Sequence, residues 1–197
     1  MKTIVVATNN QHKLQEYKEI LKPLGFKILS LKDLDIIDDV EETGTTYAEN
    51  SQIKARSFAT RKRKVPFLAD DSGIEIAALD NQPGIYTHRF LSGFSSRKNA
   101  FEYIIKKTKE TGKNEAIFYC SITYIQEGFS EVTVQGFVKG KIVDELPKDI
   151  EGFGYDPIFI PENQSETFNN LHFSIKNKIS HRAEAVNKLL KLLPLEQ

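Results

Sequence analysis

The opening 31 residues constrain the fold most, because their hydrophobic pattern switches between the two periods of regular structure. Residues 2–8, KTIVVAT, form a short β-branched run that is typical of a buried strand. Asparagines at positions 9 and 10 can cap a helix, and apolar side chains then recur at helical spacing from Leu14 to Leu24. A second apolar run covers residues 26–31. The chain therefore opens strand–helix–strand, as an α/β protein does.

The rest of the chain continues this alternation and adds one long hairpin. The predicted elements are a helix capped by Thr45 or Thr46, a strand at 65–69 that ends at Asp70, a helix from Ser95 to about residue 110, strands at 116–125 and 131–143, a short strand within YDPIFIP, and a last helix at about 177–193. Helices that alternate with short strands, together with a hairpin, predict an α/β fold with a mixed sheet.

Composition excludes several classes of partner. The 197 residues contain 27 Lys and Arg against 27 Asp and Glu, so no net charge attracts the chain to nucleic acid or to a membrane surface. The single cysteine, Cys120, rules out an internal disulfide and fits a reducing compartment. No apolar run approaches 18 residues, and the chain shows no signal-peptide pattern at its start. We therefore expect a cytoplasmic protein with no nucleic-acid or membrane partner.

Two adjacent carboxylates, Asp70 and Asp71, follow a buried-looking run in PFLADDSGIEI. Like charges this close repel in a partly desolvated site unless a cation intervenes, and Mg²⁺ prefers a few carboxylates together with phosphate oxygens. If the strand continues, the two side chains point to opposite sides, so both need not touch one ion. The alternative is a turn in which the aspartates only cap.

Two further segments have the residue types of a phosphate site. In ATNNQHK a strand ends and a helix begins, and the free N–H groups at such a helix start attract phosphate, with Lys13 one turn further on. In EETGTTYAENSQIKA, Glu41 and Glu42 precede a glycine turn and Lys54 lies in the helix that follows. Simple capping by asparagine, and a solvated loop and helix, are the respective alternatives.

Two late segments have the residue types that recognise a flat ring. In EGFGYDPIF, two glycines allow close backbone approach and either Phe153 or Tyr155 offers a stacking face. In KNKISHRAEA, His181 and Arg182 are an unusual pair of hydrogen-bond donors near a helix start. A glycine-rich corner and an exposed basic helix end are the alternatives.

The joint order of these segments is more specific than any one of them. TNNQHK, EETGTTYAEN, ADDSG, PGIYTHRF, GFGYDP and KNKISHR occur in an order and spacing that resemble the inosine triphosphate pyrophosphatases over residues 2 to about 190. The resemblance implies a single domain, 1–197, with a long central mixed sheet and two lobes that flank an active-site cleft. It also implies a homodimer and Mg²⁺-dependent hydrolysis of ITP, dITP or XTP to the monophosphate and pyrophosphate.

The resemblance also assigns roles by position. It implies Asp71 as the base for the attacking water and Glu42 and Asp71 as metal ligands, with Asp70 close by. The implied substrate-binding residues are Thr8, Asn9, Asn10, Gln11, His12, Lys13 and Lys54 along the triphosphate, Ser72 in contact with the substrate, and Phe153, Gly154, Tyr155, Asp156, Lys176, His181 and Arg182 around the purine base.

This chain departs from the family pattern at two places. Ser174 and Ile175 stand where the family commonly has two acidic residues, and THRF replaces a more usual Ser-Ala-Arg-Tyr while keeping Arg89. Two rival functions remain open: a related pyrophosphatase for other modified nucleotides, and a nucleotide-binding regulator without turnover. The GFGYDP and SHR segments argue against the first rival, and the acidic and lysine residues argue against the second.

Overall fold

A computed structural model describes residues 2–60 and 65–193. Its strands are β1 (Lys2–Val6), β2 (Phe26–Ser30), β3 (Phe67–Ile76), β4 (Gln82–Gly84), β5 (Glu115–Ile125), β6 (Val132–Ile142) and β7 (Phe159–Pro161). Its α-helices are α1 (Gln11–Leu21), α2 (Tyr47–Ala59), α3 (Thr87–Ser92), α4 (Arg97–Thr111), α5 (Phe173–Ile179) and α6 (His181–Leu190).

The strands form one mixed sheet, in which the described order is β2-β1-β3-β5-β6-β7 and β4 pairs with β3. β1 runs parallel to β2 and to β3, as the strand–helix–strand opening requires. β4 pairs antiparallel with β3, and β7 pairs antiparallel with β6. The predicted α/β fold with a mixed sheet is therefore confirmed.

The aspartates do not end a strand, and this part of the sequence prediction was wrong. β3 runs for ten residues, so Asp70 and Asp71 lie in its middle and the chain remains extended beyond them. The strand continues because Gly73, Ile74 and Ile76 are buried and Ile74 pairs with Gly84 of β4. Since successive side chains of a strand point to opposite faces, the two carboxylates enter different surroundings.

Three helix predictions needed correction. The cap of α4 is Ser96 rather than Ser95, and the α3 helix was not predicted. The last predicted helix is two helices, because Ser180 has an extended backbone (φ −70°, ψ 156°) and separates α5 from α6. Thr46 caps α2, which settles the choice between Thr45 and Thr46.

The chain divides into two compact units. Among the described residues, one unit runs to Asp71 and adds Cys120–Gly136 and the chain from Arg182 onward, and the other comprises Ser72–Tyr119 and Phe137–His181. The first unit buries one apolar cluster around Tyr17 and Leu68 and another around Phe58 and Phe67. The second unit buries a cluster rich in aromatic rings, which includes Phe101 and Phe159. In the described part of the chain, no helix has the length and apolarity needed to cross a membrane.

Candidate active site

The Asp71 carboxylate lies in a small polar cluster of the first unit. The amide of Asn50, on α2, donates to Asp71 Oδ2 at 3.1 Å, and Lys54 Nζ, one turn further along α2, lies 3.9 Å from Asp71 Oδ1. Lys54 Nζ also donates to Glu42 Oε1 at 2.7 Å. One ammonium group thus contacts both carboxylates that the sequence proposed as metal ligands.

Burial and neighbouring charges set the protonation of this cluster. Burial raises the pKa of Asp71 above its usual value, the positive charges of Lys54 and Lys13 oppose this, and the negative charge of Glu42 adds to it. For Lys54 burial would lower the pKa, but Asp70, Asp71 and Glu42 together raise it, so the ammonium group stays charged. Asp71 is therefore a better proton acceptor than an ordinary carboxylate.

The Asp70 carboxylate, also in the first unit, is held by two cations. Lys13 Nζ on α1 lies 3.2 Å from Asp70 Oδ2, and the Arg182 guanidinium on α6 donates to the same oxygen at 3.0 Å. Arg182 is fully buried and also forms an ion pair with Glu16 of α1. The Cys120 thiol lies 3.8 Å from Asp70 Oδ2.

These cations determine the charge of Asp70. Burial alone would raise its pKa, but Lys13, Arg182 and then Lys54 outweigh burial and hold the pKa well below its usual range. The paired carboxylates likewise raise the pKa of Arg182 above its usual value against the effect of burial. Asp70 is therefore a permanent anion, unable to accept a proton near neutral pH.

The start of α1 has the structure that the sequence predicted. Asn10 is the N-cap and its side chain accepts from the backbone N–H groups of His12 and Lys13. Thr8 accepts from the Asn10 N–H at 3.1 Å, which tightens the turn between β1 and α1. Asn9, Gln11 and His12 are exposed, while Thr8, Asn10 and Lys13 are half-buried. Asn10 therefore caps α1, and Lys13 of the same helix also contacts Asp70.

The predicted base-binding loop lies in the second unit. Lys176 Nζ donates to Asp156 Oδ2 at 2.5 Å and lies 5.9 Å from the centre of the Phe153 ring. Tyr155 is buried in the apolar cluster, and its hydroxyl donates to the Thr87 carbonyl oxygen at 3.0 Å. Phe153 and Gly154 are half-buried. Of the two rings considered for stacking, only Phe153 therefore has surface available.

The neighbours His181 and Arg182 differ in their surroundings. The His181 ring is buried and stacks on Phe118, with ring centres 4.9 Å apart and an interplanar angle of 11°. Arg182 points to Asp70 and Glu16, as described above. Ser72 follows Asp71 in β3 and is half-buried. The sequence placed His181 and Arg182 in one role, whereas the structure gives each a different partner.

A preformed cage of protein ligands is not part of this arrangement. Among residues 2–60 and 65–193, no group of three or more His, Cys, Asp or Glu side chains is placed to hold a metal ion together. The carboxylates Glu42, Asp70 and Asp71 therefore do not converge on a single point in this structure.

Sequence reasoning missed four residues that support the proposed site residues. Asn50 holds Asp71, Glu16 pairs with Arg182, Phe118 stacks on His181, and Arg97 contacts the glycine loop. Asn50 was interpreted as part of a solvated helix face, although a buried amide one helical turn from Lys54 was a usable signal. The other three contacts join residues at least 55 positions apart, for which the sequence contains no signal.

Known proteins resemble this chain over its whole length. The sequence model of the Ham1 family matches residues 4–192. A dITP/XTP pyrophosphatase of Bacillus subtilis is 40% identical and one of Aquifex aeolicus is 38% identical, with 98% and 96% of each chain covered. The solved Ham1 protein of Staphylococcus aureus superimposes with a TM-score of 0.83 at 35% identity and covers 100% of both chains. This chain therefore belongs to the Ham1 family.

Proposed function

We propose that this protein hydrolyses deaminated purine nucleoside triphosphates, namely ITP, dITP and XTP, to the monophosphate and pyrophosphate. The observation that carries the proposal is the cluster in which Lys54 contacts Glu42 and Asp71 while Asn50 holds Asp71. The names of the relatives, dITP/XTP pyrophosphatases, support the substrate class. Such an enzyme removes these nucleotides before they enter DNA or RNA.

The triphosphate would bind at the start of α1 and at two lysines. The first turn of α1 presents backbone N–H groups at the positive end of the helix dipole, which favours phosphate. Lys13 and Lys54 add two full charges next to Asp70 and Asp71. Asn9, Gln11 and His12 are exposed within this segment, and we propose that their side chains also contact phosphate oxygens.

The acidic residues fit Mg²⁺ in chemistry. Glu42, Asp70 and Asp71 offer carboxylate oxygens, the hard donors that Mg²⁺ prefers, and this ion is commonly held by one or two carboxylates together with substrate phosphates. Asp70 Oδ1 is buried and accepts no hydrogen bond from any described residue, which is unusual for a carboxylate oxygen. We assign Glu42 and Asp71 as ligands and Asp70 as an adjacent anion. The bound ion would neutralise phosphate charge and polarise the α-phosphorus.

The residues of the chain supply the remaining chemistry. Asp71 accepts the proton of a water whose oxygen forms a bond to the α-phosphorus, the bond from that phosphorus to the bridging oxygen breaks, and pyrophosphate leaves. Burial raises the pKa of Asp71, which makes it a stronger base, and Asn50 fixes the orientation of its carboxylate. Lys13 and Lys54 offset the charge that grows on the leaving group.

Selection of the purine ring of the substrate would depend on hydrogen-bond donors in the second unit. Hypoxanthine and xanthine have an oxygen acceptor at position 6 where adenine has an amine donor. A site that presents donors there leaves ATP with unpaired groups and can reject it by roughly 10⁴-fold. We propose Lys176, His181 and the backbone N–H groups around Gly154 as the donors, and the half-buried Phe153 as the stacking surface.

Arg182 is better assigned to a different role from the one the resemblance implied. Its side chain is fully buried and its guanidinium is bonded to Asp70 and Glu16. We propose that Arg182 keeps Asp70 charged and positions it together with Lys13, and that base recognition rests on the other residues.

A substrate panel tests this function. Pyrophosphate release is measured from ITP, dITP, XTP, GTP, ATP and dTTP, each with Mg²⁺ and with EDTA. We expect Mg²⁺-dependent turnover of ITP, dITP and XTP that exceeds turnover of the other three. Turnover led by dTTP would instead assign the protein as a pyrophosphatase for other modified nucleotides. Binding of ITP without pyrophosphate release would identify a regulator.

We further propose that the protein works in the cytoplasm as a homodimer. The balanced charge and the lack of a membrane-crossing helix among the described residues fit the first statement. The second rests on the family resemblance alone. Light scattering after size-exclusion chromatography tests the homodimer, with a mass near twice 22.4 kDa expected and the mass of one chain as the contrary result.

A further inference from the structure

Arg97 makes two hydrogen bonds to the predicted base-binding loop. One terminal nitrogen donates to the Gly152 carbonyl oxygen at 2.8 Å, and the other donates to the Gly154 carbonyl oxygen. The guanidinium also lies over the Phe101 ring, 5.1 Å from its centre. All of these residues belong to the second unit, and Phe153 is the residue between the two bonded carbonyls.

The position of Arg97 in its helix disfavours an ordinary structural role. Arg97 is the first residue of α4, the first turn of which contains no acidic residue. A cation at a helix N-terminus opposes the helix dipole and destabilises the helix slightly. The carbonyl oxygens of the loop carry partial negative charge, and the hydrogen bonds from the Arg97 guanidinium to them offset its unfavourable interaction with the helix dipole.

The backbone around Phe153 is held on both sides of this residue, and the Phe153 carbonyl oxygen itself accepts from the Asp156 N–H at 3.0 Å. Gly152 and Gly154 both have positive φ angles, +136° and +53°, in a region that only glycine adopts easily. A Cβ atom at Gly152 would lie 1.9 Å from Asn169 Oδ1, so a larger residue cannot stiffen the loop there. The loop is anchored after Phe153, where Tyr155 donates to Thr87 and Asp156 is bonded to Lys176. On the other side of Phe153, Arg97 bonds the Gly152 carbonyl.

We propose that Arg97 is a positioning residue for base binding: by holding the carbonyls of Gly152 and Gly154, it orders the loop so that Phe153 presents its ring to the purine. This inference rests on the proposed function, since it assigns the base to this loop. It predicts that Arg97 contributes to binding of the nucleoside part of the substrate and leaves the polyphosphate part and the chemical step unaffected.

Steady-state kinetics with ITP and a base-free competitor test the inference. Arg97→Ala should raise KM for ITP about 10-fold, as expected for two charge-assisted hydrogen bonds at a half-buried position, with kcat within about twofold. The inhibition constant of Mg²⁺–tripolyphosphate, which has no base, should stay within about twofold. Arg97→Gln retains amide donors and should recover part of the loss. Lys98→Ala removes the adjacent exposed cation of α4, which pairs only weakly with Glu102, and should behave as wild type.

Hydrogen exchange gives a readout that does not depend on turnover. In Arg97→Ala the amides of residues 151–156 should exchange faster than in wild type, and in Lys98→Ala they should not. An unchanged KM in Arg97→Ala, or an equal loss of tripolyphosphate affinity, would overturn the inference while wild-type turnover of ITP still supports the proposed function. If wild type fails to turn over ITP but the loop still loosens in Arg97→Ala, the failure lies in the proposed function and the structural part of the inference stands.

Discussion

The two sides of β3 differ sharply around two carboxylates that are adjacent in the chain. On one side, Asp70 is bonded to Lys13 and Arg182, and its pKa is held well below the usual range. On the other side, the neutral amide of Asn50 donates to Asp71, Lys54 Nζ lies 3.9 Å from Asp71 Oδ1, and the pKa of Asp71 is raised. Both carboxylates are buried to a similar degree, with exposed fractions of 1% and 5%.

Burial is therefore not what distinguishes the two residues. The number and distance of the positive partners set the direction of each pKa shift, because a cation in direct contact stabilises the ionised carboxylate more than burial destabilises it. Asp70 is a fixed anion that anchors Lys13 and Arg182, and Asp71 remains able to accept a proton. A pair of groups whose surroundings push their pKa values apart is the expected pattern when one supports and the other reacts. The predictions below test this division of roles.

Replacing Asp71 should have the largest effect on activity. Asp71→Asn keeps the shape of the side chain and an oxygen for Asn50, but it removes the base, so kcat for ITP should fall about 10³-fold. Because the pKa of Asp71 is raised in the folded protein, the ionised carboxylate destabilises the fold at neutral pH. The unfolding free energy of Asp71→Asn at pH 7 should therefore equal or exceed that of wild type in urea titrations. A variant that lost activity because it unfolds would contradict the assignment of Asp71 as base.

Replacing Asp70 should instead have its main effect on stability. Asp70→Asn removes the ion pair between Asp70 and the fully buried Arg182, and breaking a buried ion pair in this way costs about 3–5 kcal/mol. Urea unfolding of metal-free protein measures this difference. Asp80→Asn is the matched control, since Asp80 is exposed and has φ +52°, which asparagine tolerates.

The contribution of the Asp70 charge to the unfolding free energy should also disappear in acid. A carboxyl group with a lowered pKa in the folded state stabilises the protein above its ordinary pKa of 3.8, and this contribution is lost as pH falls below that value. The gap in unfolding free energy between wild type and Asp70→Asn should therefore narrow steadily below about pH 4. A gap that stayed constant would mean that packing of the side chain, and not its charge, sets the difference.

Removing the amide that holds Asp71 should have an intermediate effect on turnover. Asn50→Leu cannot donate to Asp71, and loss of this orientation should lower kcat about 10-fold to 100-fold with little change in KM. Asn50→Asp keeps an acceptor for the Gly44 N–H but places a second charge beside Asp71, and it should be at least as damaging. Gln52→Leu, on the same helix and bonded to Thr133, is the control and should retain wild-type kcat.

The last prediction concerns Cys120, on the Asp70 side, and involves no change in activity. Burial, together with the charge of Asp70, raises the pKa of its thiol to about 12, and the side chain is fully buried. A disulfide reagent at pH 8 should therefore label the native protein at least about 100-fold more slowly than the urea-unfolded protein. Fast labelling of native protein would show that the Asp70 side is accessible to solvent, against the contrast drawn above.

The sequence predicted the elements well where hydrophobic periodicity was strong. The β1–α1–β2 opening and the two long strands β5 and β6 agree with the structure to within a few residues, and the cap of α2 is one of the two threonines that the sequence left open. Prediction failed where tertiary contacts override local pattern. β3 continues beyond two aspartates because the residues that follow them are buried and pair with β4, and cations from α1, α2 and α6 lie near the two carboxylates. α6 is separated from α5 at Ser180, a break that the spacing of the apolar residues does not predict.

For the candidate site, the sequence identified residue types and order but not partners. It singled out Lys13, Glu42, Lys54 and the two aspartates. In the structure Lys13 contacts Asp70, and Lys54 contacts Glu42 and Asp71, all within the first unit, while the roles of these residues stay a prediction. It assigned Arg182 to the base, whereas that guanidinium is bonded to Asp70 and Glu16, more than 100 residues away in the chain. It missed Glu16, Phe118 and Arg97, whose partners lie at least 55 positions away in the chain, and it interpreted Asn50 as part of a solvated helix face.

The sequence by itself determined the α/β class, the order of the strands' hydrophobic runs and the chemistry available near β3, because these follow from local periodicity and residue type. Only the tertiary structure decided which carboxylate is a fixed anion and which can act as a base. That choice depends on the positions of Lys13, Asn50, Lys54 and Arg182, which three helices bring to opposite sides of one strand. Electrostatic effects depend on the distance between charged groups in space, and this distance cannot be read from their separation in the sequence.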